Sequence, residues 1–154
     1  MCANWPVTWW VGPKMSTMLM QGSTKEDVQE MFASDLLTTD PAADFAAAAA
    51  LELREYQGAT TLDTVVPHPA MPMPASQMLQ FRLTDYLVHA WDLARSTGGD
   101  EALNPELVET VWTAIQPMAP MIPHVGVFGS GPDGLVGDDA PLQTRLLNLL
   151  GRRP

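Results

Sequence analysis

Hydrophobic side chains recur at helical spacing along most of this chain, and helix-capping residues mark where several of these segments begin. Ser23 and Glu26 have the spacing of a capping box, and the short apolar stripe behind them ends near Leu36. Asp40, followed by a proline, is typical of a helix start. This pattern predicts a second helix through the alanine block to about Gln57, where a glycine ends it.

The second half of the chain carries three more helical patterns. The longest runs from about residue 74 to residue 97 and stops at two consecutive glycines. The next runs from 104 to 117, and the last is predicted to begin at an Asp139 cap and to end at Gly151. In the first half, the methionine-rich segment 15–20 is interpreted as core filler, because methionines at this spacing usually pack in a core.

β-branched residues dominate one short segment, Thr60–Val66, which is the only predicted strand. Four prolines between 67 and 74 predict an extended connector, and residues 117–138 are predicted to be loop because proline and glycine are frequent there. The fold class is therefore mainly α, a single helical domain over residues 1–154 with a small strand element and a loop-rich C-terminal part.

The long helix at 74–97 has a narrow polar stripe. At 3.6 residues per turn, Arg82, Asp85, His89 and Asp92 fall within about a quarter of the circumference. Apolar residues border the stripe on both sides, whereas a solvent-facing surface is normally wider. The stripe is therefore interpreted as the floor of a cleft or as a buried polar row.

Asp85 and His89 are the candidate chemical residues of this stripe. Their spacing of four lets both side chains reach one point, where they could hold a divalent metal. The same pair could instead be a general-base imidazole oriented by a carboxylate. In a purely structural interpretation, His89 is a core histidine hydrogen-bonded to Asp85 or Asp92.

Other candidate residues carry weaker signals. His68 lies between two prolines and His124 follows one, so both are interpreted as turn or surface residues. Cys2 stands alone, which excludes an internal disulfide. Near the start of the chain, three tryptophans crowd a short segment and need something to cover them; these are Trp5, Trp9 and Trp10.

Charge narrows the possible partners. Eighteen acidic and eight basic side chains give a net charge of −10, which argues against nucleic-acid binding and against anionic membranes. Absence of a run of about 18 apolar residues predicts no membrane span, and no signal peptide is recognised. A cytoplasmic location is the expectation.

The segment 82–98, RLTDYLVHAWDLARSTG, resembles the signature of the DinB-type, mycothiol-dependent maleylpyruvate isomerase-like proteins of actinobacteria, and in particular a short metal-binding branch of them. Further stretches resemble the same family: Cys2–Trp5, Phe128–Gly129, Asp139–Pro141, Arg145–Leu147 and Leu150–Pro154. The resemblance covers nearly the whole chain.

This resemblance implies a DinB-like helical bundle with a metal, usually zinc, between its helices. It also implies that Asp85 and His89 are the acid and histidine ligands of one helix, and that mycothiol is a possible thiol for isomerisation or S-transfer. The family's first helix would precede Cys2, so this chain is expected to lack it. Its second helix would carry a further histidine ligand, but the segment 6–11 has none. The extra C-terminal domain of the longer isomerases, with its catalytic arginine, is expected to be lacking as well.

Three hypotheses remain from the sequence. The chain is a metal-dependent thiol transferase or isomerase relative with a weak metal site, a degenerate non-catalytic relative that acts as a structural or interaction protein, or a helical module for a small apolar ligand. Because a missing first helix would leave an apolar groove, self-association into a homo-oligomer is expected.

Overall fold

A computed structural model describes residues 5–34, 39–125, 128 and 131–154, and of residues 5–10 and 125 it describes the backbone. The described residues are mainly helical, as predicted. The helices are α1 (Trp5–Met20), α2 (Lys25–Ala33), α3 (Pro41–Gly58), α4 (Ala75–Thr97), α5 (Pro105–Ile115), α6 (Ile122–Val125) and α7 (Leu142–Leu149). None of these described helices combines the length and the hydropathy that a membrane span needs.

The chain divides within α4 into two compact units, one up to Arg82 and one from Leu83. In the first unit, buried side chains of α1, α2, the strands and the start of α4 form one core; they are Leu19, Val28, Val66, Met73, Ala75 and Met78. In the second unit, α5, α7 and the later turns of α4 supply the core, with Leu87, Val108, Val111, Leu146 and Leu150 among its members.

The helix start at α2 lies one residue later than predicted. Thr24, not Ser23, is the N-cap, and its partner is Asp27, not Glu26. The reason lies in the end of α1. Gly22 is left-handed there (φ 89°), and the Ser23 N–H donates back to the Met18 carbonyl, so Ser23 belongs to the C-terminal cap of α1.

The predicted strand is mostly wrong. Only Val65–Val66 (β1) is strand, and it pairs antiparallel with Met73–Pro74 (β2) inside the predicted connector. Upstream, the Thr61 hydroxyl accepts from the Asp63 N–H, at 3.1 Å. Such a local side-chain bond competes with a strand ladder and keeps this part of the segment in a turn.

Two predictions near the C-terminus also need correction. The predicted loop 117–138 contains the end of a 3₁₀ turn (Gln116–Met118) and the short helix α6. Asp139 does not cap the last helix, because α7 begins after Pro141. The αR backbone conformation is disfavoured for a residue that precedes proline, so Ala140 does not belong to the first turn of α7.

Other boundaries are confirmed. Asp40 caps α3 through the Ala43 N–H, and Asn104 caps α5 through two backbone N–H groups. Gly98, left-handed at φ 70°, follows the last residue of α4. The predicted stripe of α2 is only partly buried, since Val28 is fully enclosed while Phe32 is 40% exposed. Leu36 lies outside the described residues.

Candidate functional site

Helix α4 brings the side chains of Asp85 and His89 together. Their spacing of one helical turn places the Asp85 Oδ1 atom 3.0 Å from the Nε2 atom of His89. The exposed fraction of the His89 side chain is 16%, and that of Asp85 is 33%. The pair therefore lies at the edge of the second unit, sheltered but not sealed from solvent.

A second carboxylate occupies the other nitrogen of the imidazole. Asp92, three residues further along α4, has its Oδ2 atom 3.2 Å from the Nδ1 atom of His89. The Asp92 side chain is 5% exposed. His89 thus bridges the partly exposed carboxylate of Asp85 and the buried carboxylate of Asp92, and both nitrogens of its ring are engaged.

Arg152, from the chain's C-terminal tail, joins this group through Asp92. Its Nε donates to Oδ1 of Asp92 at 3.2 Å and its Nη2 donates to Oδ2 at 2.7 Å. This is the two-pronged geometry that arginine forms with carboxylates. Two carboxylates and two basic groups then make a cluster that is charge-balanced when His89 is protonated.

The electrostatics agree with a protonated imidazole. Burial alone would lower the pKa of His89, but hydrogen bonds and charge from Asp85 and Asp92 raise it to about 9. Burial likewise acts to raise the pKa of Asp92, while hydrogen bonds and charge from His89 and Arg152 bring it below the ordinary value. At neutral pH both imidazole nitrogens of His89 therefore donate.

The polar stripe predicted on α4 is largely buried and does not form a solvent-facing surface. Asp92 and Arg82 are nearly fully buried. Arg82, however, belongs to the first unit, where its Nε donates to Glu52 of α3 at 3.0 Å. Arg82 is therefore assigned to the buried ion pair with Glu52, and the candidate site is built from Asp85, His89 and Asp92.

The remaining sequence candidates lie elsewhere. His68 follows β1 in a turn, where its Nδ1 atom accepts from the Ala70 N–H, and burial lowers its pKa. His124 is exposed on α6. Cys2 and the side chains of Trp5, Trp9 and Trp10 lie outside the described residues.

The donor set fits a metal ion in part. With metal–ligand bonds of about 2.0–2.1 Å and a tetrahedral angle, two ligand atoms lie about 3.3 Å apart, close to the Oδ1–Nε2 separation of the pair. Asp92 on Nδ1 matches the carboxylate that usually orients a metal-binding histidine. Yet over residues 5–34, 39–125, 128 and 131–154, no three His, Cys, Asp or Glu side chains are arranged around a common metal position.

Sequence reasoning missed Arg152 as a member of this site. Its position, after Gly151 at the end of α7, resembles an ordinary surface tail. The one sequence signal is Gly151, because glycine after a helix is typical of a left-handed cap that turns the chain back. A partner 60 residues away in sequence cannot be found from helical spacing.

Two clefts lie in the first unit, and neither is lined by Asp85 or His89. One, of about 650 Å³, is lined by Leu19, the N-terminal turn of α2 and residues around β1. The other, of about 590 Å³, is lined by Thr17, Met18 and alanines of α3. Each of these clefts is a place where the small-ligand hypothesis could apply.

The chain is similar to known proteins over part of its length. No family model and no solved structure match the chain. Two uncharacterized proteins, from two strains of Mycobacterium tuberculosis, are each 36% identical to it over 73 residues. The match covers 47% of this chain and 37% of the length of each relative. The chain is therefore similar to part of these mycobacterial proteins, with little more than a third of their length aligned.

Proposed function

We propose that this chain is a divalent-metal-binding, DinB-like protein, with Asp85 and His89 as its protein ligands and zinc as the favoured ion. The observation that supports the proposal most directly is the 3.0 Å approach of Asp85 Oδ1 to His89 Nε2, with Asp92 already on Nδ1. One oxygen and one nitrogen donor form the inner pair, and a carboxylate orients the ring.

Binding is expected to be weak. Two protein ligands leave zinc short of its usual three or four, so water or a small-molecule thiol would complete the site. A metal ion must also displace the proton from Nε2 of His89, and the raised pKa of His89 strengthens that competition. Affinity should therefore increase steeply as the pH rises towards 9.

When bound, the metal would make a coordinated thiol or water more acidic and hence a better nucleophile. The proposed chemistry is S-transfer or isomerisation with mycothiol as the thiol, which rests on the sequence resemblance. In that chemistry Asp85 and His89 hold the ion, and Asp92 keeps the imidazole of His89 oriented.

Titration calorimetry with zinc and nickel at about pH 8 tests the proposal. The wild-type chain should bind one ion, and Asp85→Asn and His89→Gln should each abolish measurable binding. His124→Gln is the matched control, because it removes an exposed imidazole on α6 and should leave binding unchanged. Equal binding by wild type and both site variants, or none by the wild type at millimolar metal, would end the metal proposal.

The second candidate is a non-catalytic structural or interaction protein, and one observation favours it. The cluster of Asp85, His89, Asp92 and Arg152 balances its own charge, so it can hold the tail against α4 with no ion bound. Absence of metal binding in the titration, together with loss of stability in His89→Gln, would support this alternative.

A further inference from the structure

We propose that Arg152 is a positioning residue for the Asp85–His89 site, acting through Asp92 from the C-terminal tail. This inference rests on the metal-binding function proposed above. In outline, the arginine holds the carboxylate, the carboxylate holds Nδ1 of His89, and the Nε2 atom is thereby kept beside Asp85.

The tail reaches the site because α7 ends in a tight left-handed turn. Gly151 has φ 77°, its N–H donates to the Asn148 carbonyl, and the Arg152 N–H donates to the Leu147 carbonyl. A side chain at position 151 would also collide with the Phe128 carbonyl. Glycine is therefore required at position 151 for two reasons, the positive φ and the lack of space for a Cβ atom. The turn directs Arg152 back towards α4.

All three nitrogens of the Arg152 guanidinium donate hydrogen bonds. Two of its nitrogens donate to Asp92, and Nη1 donates to the Leu150 carbonyl at 2.8 Å. Oδ2 of Asp92 accepts from Arg152 and also lies against Nδ1 of His89. With both oxygens of Asp92 engaged, the carboxylate cannot rotate without breaking a charged hydrogen bond. The imidazole therefore has a defined orientation before any ion arrives.

The neighbouring arginine, Arg153, also anchors the C-terminal tail. Arg153 pairs with Asp133 at 3.0 Å, and its backbone carbonyl accepts from Arg95. Neither contact involves Asp92. Arg153→Gln therefore removes the same charge from the same tail while leaving the carboxylate of Asp92 engaged, which makes it the matched control.

The experiment compares wild type with Arg152→Gln, Arg152→Lys and Arg153→Gln in the full chain. Zinc affinity is measured by calorimetry, and proton exchange of the His89 Nδ1–H is measured by ¹⁵N NMR in metal-free protein. Loss of the hydrogen-bond partner of a metal-binding histidine typically weakens affinity by about 10–100-fold. Because Arg152 contacts that partner, Asp92, rather than His89 itself, Arg152→Gln should weaken affinity by about 10-fold, the lower end of this range, together with faster Nδ1–H exchange. Arg152→Lys should recover part of both, and Arg153→Gln should match wild type.

The outcomes distinguish the positioning role of Arg152 from the proposed metal-binding function. Wild-type affinity and wild-type Nδ1–H exchange in Arg152→Gln would overturn the positioning role even if zinc binds. No zinc binding by wild type would end the proposed function, while the metal-free exchange measurement would still test the link from Arg152 to His89. If Arg152→Gln does not fold, Arg152→Lys carries the comparison, since it keeps the charge and loses the two-pronged contact.

Discussion

Gly12 is the residue at which one added methyl group has the clearest expected effect. A Cβ atom there would collide with the guanidinium of Arg82. That guanidinium cannot move cheaply, because it is nearly fully buried and paired with Glu52, which is buried as well. The approach of α1 to α4 in the first unit thus depends on the absence of a side chain.

Gly12→Ala should accordingly destabilise the protein by about 2 kcal/mol, the range for overpacking a core next to a buried ion pair. Urea denaturation measures the change. Gly58→Ala is the control, because a Cβ at Gly58 meets no atom within 4 Å. Equal stability of the two variants would show that the guanidinium of Arg82 moves aside freely.

His89 should make stability depend on pH on the alkaline side. Its pKa is raised to about 9 in the folded chain, from an ordinary value of 6.5, so the folded state holds the proton more tightly than the unfolded state. The resulting stabilisation is complete below about pH 6.5 and is lost as the pH rises through about 9, and its size is about 2 kcal/mol after allowing for solvent screening.

The measurement is urea denaturation of metal-free wild type and His89→Gln at several values between about pH 6 and pH 9.5. The difference in unfolding free energy between them should shrink across this range. A constant difference would mean that the proton on His89 is not bound more tightly in the folded chain.

At the scale of elements, α2 offers a test of where a helix begins. Thr24 supplies the cap, since its hydroxyl accepts from the Asp27 N–H and Asp27 accepts from the Thr24 N–H. Thr24→Ala should cost about 1 kcal/mol of unfolding free energy. Ser23→Ala, at the position that spacing alone indicates, should cost much less, and the reverse order in urea denaturation would contradict the observed cap.

The same element shows what sequence can and cannot predict. Ser23–Glu26 and Thr24–Asp27 are equally good capping boxes on paper. The choice is made by Gly22, whose left-handed turn at the end of α1 uses the Ser23 N–H. Local patterns therefore predict α2, α3, α4, α5 and α7, but not α1 or α6. Competition between neighbouring elements sets where the helices begin and end, as where Pro141 displaces the Asp139 cap.

The candidate site also has one part that the sequence predicts and one part that it does not. The approach of Asp85, His89 and Asp92 follows from helical spacing alone, so the sequence predicts it. The pairing of Arg152 with Asp92, and of Arg82 with Glu52, depends on how separate helices pack. Glu52 in particular lies within an alanine-rich helix whose pattern gave no reason to expect a buried acid.

At the scale of the whole molecule, α3 leaves much apolar surface uncovered. Glu52 is its one buried residue, while Leu51 and Leu53 are exposed. Phe32 of α2, in the same unit, is 40% exposed. Exposed apolar side chains commonly mark an interface between protein chains where they form a continuous patch.

We therefore expect the chain to self-associate at micromolar concentration, as sedimentation velocity can measure. Leu53→Glu should shift the population towards monomer, because it places a charge in the expected contact. Leu135→Glu, at a position 86% exposed in the second unit, is the control and should leave the distribution unchanged. A wild-type chain that sediments as a monomer throughout would refute the expectation.

The pairing of Arg152 with Asp92 has an evolutionary consequence. Once Arg152 is lost, a nearly buried carboxylate at position 92 has given up one of its two cationic partners, and a buried charge without adequate partners is costly. Homologous chains should therefore change the two positions together, and a lineage that drops the arginine should soon drop the acid as well. Such paired substitution would be a historical record of the contact that closes this tail onto its helix.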